Sequence, residues 1–464
     1  MKIPALSSLP PIPDTAGDRE AIAGFLRDGA PKLVVLDDDP TGTQTVHGID
    51  VLAEWSVESL TASLEDPRAA FFILTNTRSM ALAEAVALNR EIAANLNEAS
   101  RRSGRAFTIA SRGDSTLRGH YPGETDALAA ALPCADGILL VPAFIEGGRF
   151  TIDGVHFLRD GDRLVPVGET EFARDAAFGY RHSRLAEWVE EKTGGRVPSS
   201  AVASIGIGLL RQGGAAAVER ALLGFQAGAT IAVDAAEYAD LEVFVHGLMR
   251  VEREGRRHLA RTGASFVRVR AGIGPRAPLS AGEIAAPGRG RGLVVVGSYV
   301  SRTTTQLERT LKVGNVTGVE LDVDLLRNEA AREREVARVA GSAESILRRG
   351  GTAVVFTSRR RTSALGRAGE LGAAQAVSGS LVEIVRRIRE RPRFLIAKGG
   401  ITSSDLAVKG LGMRRALVLG QAAPGVPVWR TGAETTFPGI AYVVFPGNVG
   451  GPDSLRELVE RLNP

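Results

Sequence analysis

The tightest constraint on the fold of this chain is a pattern that recurs along it. A few aliphatic residues run without polar interruption, stop at a charged or glycine-rich loop, and give way to a stretch with helical spacing. The sharpest instance is Lys32-Leu33-Val34-Val35-Leu36-Asp37-Asp38-Asp39-Pro40-Thr41-Gly42-Thr43. Four apolar residues bounded by charge read as a strand buried on both faces, as in a parallel sheet. Parallel strands need crossovers, and the helical stretches between the runs supply them. In open α/β sheets ligands bind outside the carboxyl ends of strands, so the three acids after Leu36 stand where a substrate would sit. A polar turn that only ends the strand is the plainer alternative, but three adjacent carboxylates repel one another there.

In the first half, the same reasoning predicts strands over residues 48–55, 69–74, 105–110, 137–143, 202–210, 229–234 and 266–270. Helices are expected over 18–28, 81–100, 123–132, 183–192 and 241–262. Residues 144–197 break the rhythm; turn signals there predict an irregular or β excursion, with Asp160-Gly161-Asp162 as a hairpin tip. A Gly-, Pro- and Arg-dense stretch, 271–292, reads as a linker. A second series then starts at Leu293-Val294-Val295-Val296, followed by a helix over 303–312. Further strands are expected at 316–322, 353–357, 394–397, 416–419 and 442–445, with a helix over 454–462. The chain has 464 residues, whereas single cores stop growing at roughly 250–300 residues, so two domains are expected. The expected boundaries are 1–270, a linker over 271–292, and 293–464.

Charge and cysteine content narrow the function classes. The net charge is only +4, and clustered arginines such as Arg250, Arg253, Arg256 and Arg257 interleave with acids and not with aromatics. That pattern is a solvated helix surface and not a nucleic-acid track. The single cysteine, Cys134, precludes an intramolecular disulfide and any CxxC motif. The N-terminal residues lack the apolar core of a signal peptide, and no apolar run approaches the ~18 residues of a membrane span. A soluble cytoplasmic protein is the expectation. The six histidines form no HxH or HExxH pattern, only His47 and His120 lie near candidate loops, and no metal ligands can be assigned.

In the second half, three strand ends suit an anion. Gly297-Ser298…Ser301 opens a helix, Lys398-Gly399-Gly400-Ile401-Thr402-Ser403-Ser404-Asp405 turns a strand into a helix, and Pro446-Gly447-Asn448-Val449-Gly450-Gly451 precedes the last helix. Glycines let backbone approach phosphate closely, and free N–H groups at a helix start carry partial positive charge. None is a Walker loop or GxGxxG. One such turn is usually a plain cap; three in one domain point to nucleotide binding.

Taken in order, these loops resemble the four-carbon acid sugar kinase family. Its Asp-Asp-x-Thr-Gly is matched by Asp38-Asp39-Pro40-Thr41-Gly42, and its Asp-Ser-Thr-Leu-Arg-Gly stands unbroken from Asp114 to Gly119. Pro142-Ala143-Phe144 with Gly148-Arg149 matches a third segment. The family's Gly-Ser-x-Ser is found at Gly297-Ser298-Tyr299-Val300-Ser301 with one extra residue, its Gly-Gly-x-Thr at 399–402, and its Gly-Asn-x-Gly at 447–450. Two departures fall in the expected acid pocket. Many members continue Thr-Gly-Ala-Asn-Asp where this chain has Thr-Gly-Thr-Gln-Thr-Val-His, and many have Lys before Asp-Ser-Thr where Ser111-Arg112-Gly113 stands.

The resemblance implies an α/β protein of two domains, each a mainly parallel sheet flanked by helices, with the active site in the cleft between them. It implies ATP-dependent phosphorylation of a terminal hydroxyl on a four-carbon sugar acid such as threonate, erythronate or 3-oxo-tetronate. Asp39 or Asp38 is then the expected acid that accepts the hydroxyl proton, with Asp114 next. Arg112 and Arg118 are expected to fork onto the substrate carboxylate or the phosphoryl group. Asn76 and Arg78 would read sugar hydroxyls, and Thr41 and Ser115 complete the substrate-binding set. Ser298, Ser301, Gly399, Gly400, Ile401, Thr402, Gly447 and Asn448 would hold ATP, with Mg²⁺ bridging its phosphates. A homodimer is compatible with this reading. Two rivals stay open. Asp37-x-Asp39-x-Thr41 also resembles the nucleophile motif of haloacid-dehalogenase-like phosphatases, with Asp37 attacking phosphorus, and a non-catalytic sugar-acid sensor is the other.

Overall fold

A computed structural model of the protein describes residues 6–132, 136–285, 291–298, 301–359, 367–447 and 449–463. Cys134 and Asn448 therefore lie outside the described residues. Strands are numbered in chain order: β1 (Lys32–Asp37), β2 (Asp50–Leu52), β3 (Ala70–Leu74), β4 (Phe107–Arg112), β5 (Gly137–Val141), β6 (Arg149–Ile152), β7 (Val155–Asp160), β8 (Arg163–Pro166), β9 (Ala203–Ile205), β10 (Ala229–Val233), β11 (His258–Thr262), β12 (Gly292–Val296), β13 (Val316–Leu321), β14 (Thr352–Thr357), β15 (Phe394–Lys398), β16 (Arg415–Ala423), β17 (Val426–Thr431) and β18 (Ala441–Phe445). The chain separates into two compact units: residues 1–46 with 54–275, and 47–53 with 276–464.

The first unit is built on parallel strands in the order β3-β1-β4-β11-β5-β10-β9. Every residue of β1, β3 and β11 is buried, which explains the unbroken apolar runs of the first two. Helices such as Leu82–Ser103 and Tyr238–Arg253 supply crossovers, each with its apolar side buried. The order reverses at β1, with β3 on one side and β4 on the other, so the crevice between β1 and β4 is the place where a ligand is expected. The excursion after β5 is a three-stranded antiparallel sheet, β6-β7-β8, whose β7–β8 turn is Gly161-Asp162, closed by the pair Asp160↔Arg163.

Three expectations fail here. The helix predicted over 241–262 ends at Arg253; Gly255, at φ +92°, turns the chain, and 258–262 is a strand. The segment predicted as a strand over 266–270 is the helix Ala264–Arg270. Its alternation of Phe266, Val267 and Val269 with arginines looks β-like, but a seven-residue helix buries nearly all of them. Within 202–210 only Ala203–Ile205 is strand, and a π-turn occupies Leu209–Gly213.

The second unit has the order β13-β14-β12-β15-β18-β17-β16-β2. The pairs from β13 to β18 are parallel and those from β18 to β2 antiparallel. β17 and the helices Glu329–Arg348 and Arg367–Arg387 had no counterpart in the sequence reading. β12, β15 and β18 are buried throughout, and the helix Ser454–Leu462 covers them with Leu455, Leu458, Val459 and Leu462. The seven residues borrowed from the N-terminal part enter here: Asp50 pairs with Leu417, Gly48 N donates to Val418 O (2.8 Å), and Ala53 N donates to Arg414 O (2.8 Å). Among the described residues no helix is long and apolar enough to cross a membrane.

Candidate active site

Strands β1, β3 and β4 run parallel and in register, so their carboxyl ends open on one edge. Asp37, Asp38 and Asp39 leave β1, Arg78 follows β3, and Arg112 ends β4. Arg78 grips Asp38 with two nitrogens, its Nε donating to Oδ2 (3.1 Å) and its Nη2 to Oδ1, while its Nη1 lies 3.4 Å from Asp39 Oδ2. Arg112 Nη1 donates to Asp37 Oδ1 (3.3 Å). Two guanidiniums thus bind the three acids between them.

The three acids then part in character. Burial pushes the Asp37 carboxyl up to about 8, with Arg112 opposing and Asp38 and Asp39 adding to the rise. Asp39 is held below the ordinary range: burial opposes this, but Arg78 and the hydrogen bonds from Thr41 prevail. One of those bonds is Thr41 N to Asp39 Oδ1 at 2.8 Å. Side-chain exposure is 20% for Asp39 and 4% for Asp38. Asp39 is therefore ionised and reachable, Asp38 is saturated by Arg78, and Asp37 is a neutral acid beneath them.

The Asp114–Gly119 loop crosses the same edge. Asp114 Oδ2 accepts from Arg118 Nε (2.7 Å) and from Thr116 Oγ1, and Arg118 Nη1 reaches Asp175 Oδ2 at 3.4 Å. Burial works against ionisation of Asp114, yet Arg78 and Arg118 keep its carboxyl far below the ordinary range. The loop is bent tightly, with Leu117 at φ +66° and Gly119 at +122°. Its flanking glycines make room for Arg261 of β11: a Cβ on Gly113 would fall 1.4 Å from Arg261 Nη1. Arg261 donates to the Ser111 and Arg118 carbonyls (3.5 and 3.2 Å). Two residues from the excursion grip the other side. His156, fully buried and lowered by burial to about 4, binds Ser115 O through Nε2 (2.8 Å) and Thr151 Oγ1 through Nδ1 (2.9 Å). A neutral ring that donates from Nε2 and accepts at Nδ1 fits both partners. Tyr180 OH donates to Thr116 O at 2.5 Å.

The remaining expected substrate residues divide. Asn76 sits in the left-handed region at φ +53° and its Nδ2 donates to Ser79 Oγ (3.1 Å), so it shapes the turn before Arg78. Ser115 and Arg112 are buried and lie under the edge. His120 binds the Thr77 and Met80 carbonyls (3.1 and 3.0 Å) as a structural tie.

In the second unit, β14, β12, β15 and β18 also end on one edge, and the order reverses at β12. There the Gly297 and Gly399 turns meet Thr402. A Cβ on Gly297 would fall 2.2 Å from Thr402 Oγ1, and one on Gly399, at φ +118°, would fall 3.1 Å from Ser298 Cβ. Thr303 Oγ1 donates to Gly447 O (3.0 Å) and lies in hydrogen-bond contact with Ser298 Oγ (3.2 Å), tying two of the turns together. Lys398, unexposed at the end of β15, donates to the Pro446 and Gly447 carbonyls and lies 4.1 Å from the Phe445 ring centre; burial lowers its ammonium to about 7, aided by Arg302. Ser301 is exposed at the start of its helix, and Ile401 is 59% exposed, an apolar side chain left open on the turn. Among the described residues no group of three His, Cys, Asp or Glu could hold a metal ion.

His156, Tyr180, Arg261 and Lys398 were not among the residues picked out as site candidates. Lys398 stood inside a quoted motif; the other three act on backbone carbonyls, which leaves no side-chain pattern to read.

Comparison with known proteins follows the same division. Residues 33–270 match a family model described as a sugar-binding N-terminal domain, and 293–455 one described as a nucleotide-binding C-terminal domain. The chain is 29% identical over 232 residues to a D-erythronate kinase of Heliobacterium modesticaldum, covering 49% of this chain and 48% of that one. It thus spans about half the length of that relative. It is 28% identical over 380 residues to a 3-oxo-tetronate kinase of Cupriavidus necator, covering 77% and 78%. Crystal structures of proteins from Salmonella typhimurium and Haemophilus influenzae share the fold at 20% identity, with TM-scores of 0.68 and 0.63. They cover 93% and 92% of this chain and 100% and 99% of their own.

Proposed function

The chain belongs to the four-carbon acid sugar kinase family, and we propose that it transfers the γ-phosphoryl group of ATP to the terminal hydroxyl of a four-carbon sugar acid. The observation that carries this reading is the division of labour between two strand edges. One has a reachable, ionised carboxylate braced by arginine, and the other has three glycine turns converging on Thr402 and Ser298.

On this reading the sugar acid belongs to the first unit. Asp39 orients the attacking hydroxyl and takes its proton as the oxygen bonds to phosphorus and the bond to the bridging oxygen of ADP breaks. Arg78 keeps Asp39 ionised, and Arg118, steadied by Asp114 and Asp175, lies ready to stabilise the moving phosphoryl charge. The nucleotide belongs to the second unit, its phosphates against the Gly297, Gly399–Thr402 and Gly447 turns, where backbone can approach closely. Mg²⁺ would come with the ATP phosphates, because no described carboxylate cluster forms a cage for it. It would neutralise phosphate charge there.

The phosphatase rival needs Asp37 as nucleophile. Its carboxyl is sealed in the core and neutral at physiological pH, which suits neither access nor attack.

A coupled assay for ADP release with Mg²⁺, run across threonate, erythronate and 3-oxo-tetronate isomers, tests the proposal. ADP formed only when one of these acids is present supports it. Phosphate release without added ATP would favour the phosphatase, and tight acid binding with no ADP would favour a sensor.

A further inference from the structure

A sugar acid carries a carboxylate, and the cation best placed to take it is one with no acid of its own in contact. Most arginines on the first unit's carboxyl edge fail that test. Arg78 is held by Asp38 and Asp39, Arg112 by Asp37 and, at 3.9 Å, by Asp38, and Arg118 by Asp114 and Asp175. Arg268 is paired with Glu146 (3.1 Å). Arg261 forms no ion pair among the described residues, but its guanidinium is spent on the Ser111 and Arg118 carbonyls under Gly113 and Gly119.

Arg149 differs from all of these. Among the described residues it forms no ion pair; the one hydrogen bond of its guanidinium runs from Nη1 to Gly147 O, and its Nε is buried without a partner. The guanidinium lies 5.8 Å from the centre of the Phe144 ring, in a hairpin where Phe144 and Arg149 exchange backbone hydrogen bonds (2.9 and 3.1 Å). Gly147 permits this, since a Cβ there would meet both the Phe144 ring and Arg149 Nη1 within 2.5 Å. Glu146, the acid of the same hairpin, is taken by Arg268 and Tyr238.

The pairing of the small sheet sets the direction of the side chain. Thr151 stands opposite His156 and Arg149 opposite Leu158, so all four share one face. On that face His156 touches the Ser115 carbonyl, so Arg149 lies on the side of the sheet that meets the Asp114 loop. The Asp114 charge attracts it without direct contact, but a desolvated guanidinium with no acid touching it is costly, and a two-nitrogen fork matches a carboxylate in shape and charge. We propose that Arg149 is the specificity-determining residue that takes the carboxylate of the sugar-acid substrate, a role that rests on the kinase reading above.

The test compares wild type with Arg149→Gln and Arg149→Lys, using each four-carbon acid and its neutral amide. The expected result for Arg149→Gln is a rise of about 100-fold in KM for the acid. The KM for ATP stays unchanged, and discrimination between acid and amide is lost. Arg149→Lys should recover part of the acid affinity, and thermal unfolding of all three proteins checks that they fold alike. Wild-type KM and undiminished discrimination in Arg149→Gln would overturn the proposal. So would an equal fall in kcat for acid and amide, which would place Arg149 on the phosphoryl group. Calorimetric titration of the acid without nucleotide separates this inference from the kinase reading. Acid binding by wild type that is lost in Arg149→Gln supports Arg149 even if no ADP forms. Turnover equal in wild type and variant would sink Arg149 and leave the kinase standing.

Discussion

The carboxylate of Asp37 rests on the α-carbon of Gly42: a Cβ at that glycine would fall 1.9 Å from Asp37 Oδ2 and 2.3 Å from its Cγ. The Thr-Gly turn after the acids is therefore a lid over Asp37, and only glycine closes it. Gly42→Ala should cost about 1–3 kcal/mol through overpacking and, by displacing the Asp39–Thr41 turn, raise KM for the acid. Chemical denaturation and steady-state kinetics check both; an alanine variant with native stability would contradict the contact.

The neutral state of Asp37 has a pH signature. The ordinary value is 3.8 and the folded value about 8. Between these, the unfolded chain releases a proton that the folded chain keeps, so this group's contribution is complete below about pH 4 and is lost as pH rises through 8. Asp37→Asn removes that loss. Its stability relative to wild type should become steadily more favourable from pH 5 to pH 8 in denaturation curves, with turnover retained. A pH-independent difference would contradict a buried neutral acid, and abolished turnover would revive Asp37 as nucleophile.

Asp39→Asn tests the base. The variant keeps the size of the side chain and loses the proton acceptor, so kcat should fall by roughly 10²–10⁴-fold. Nucleotide binding, measured by fluorescence titration, should be unchanged. A variant with wild-type kcat would move the proton to Asp114.

His156→Phe probes the grip on the Asp114 loop. It strands the Ser115 carbonyl and the Thr151 hydroxyl, at about 1–3 kcal/mol for the unpaired groups. KM for the acid should rise while KM for ATP holds. Equal loss on both substrates would show a general defect instead.

On the nucleotide edge, Gly297→Ala sets a methyl against Thr402 Oγ1. Moving Thr402 by an amount worth about 1.4 kcal/mol weakens ATP binding about tenfold. Calorimetry should show that loss with acid binding intact. Unchanged ATP affinity would remove Thr402 from the site.

What the sequence made legible follows from where polar residues concentrate. Strands β1, β3, β12 and β15 announce themselves because each is buried throughout and built on a run of apolar residues. Their ends stand out because acids, arginines and glycines gather there. β11 hid for the opposite reason: His258 and Arg261 are buried in it, and the carbonyls that take up the Arg261 guanidinium come from segments no local pattern predicts. Arg149 stands in the Gly148-Arg149 motif, but what distinguishes it is a missing partner. An absence of that kind can be seen only once the other arginines have found theirs.

The short strand β2 bears on any attempt to dissect the protein. Residues 47–53 leave the first unit, pair with β16, and return, so the second unit is not contiguous in the gene. A fragment beginning at Arg276 would lack that strand and present the Arg415-Ala416-Leu417 backbone bare. Unpaired strand edges recruit other chains, so such a truncation invites self-association. Permuted or split versions should carry the Asp50–Leu52 segment with them.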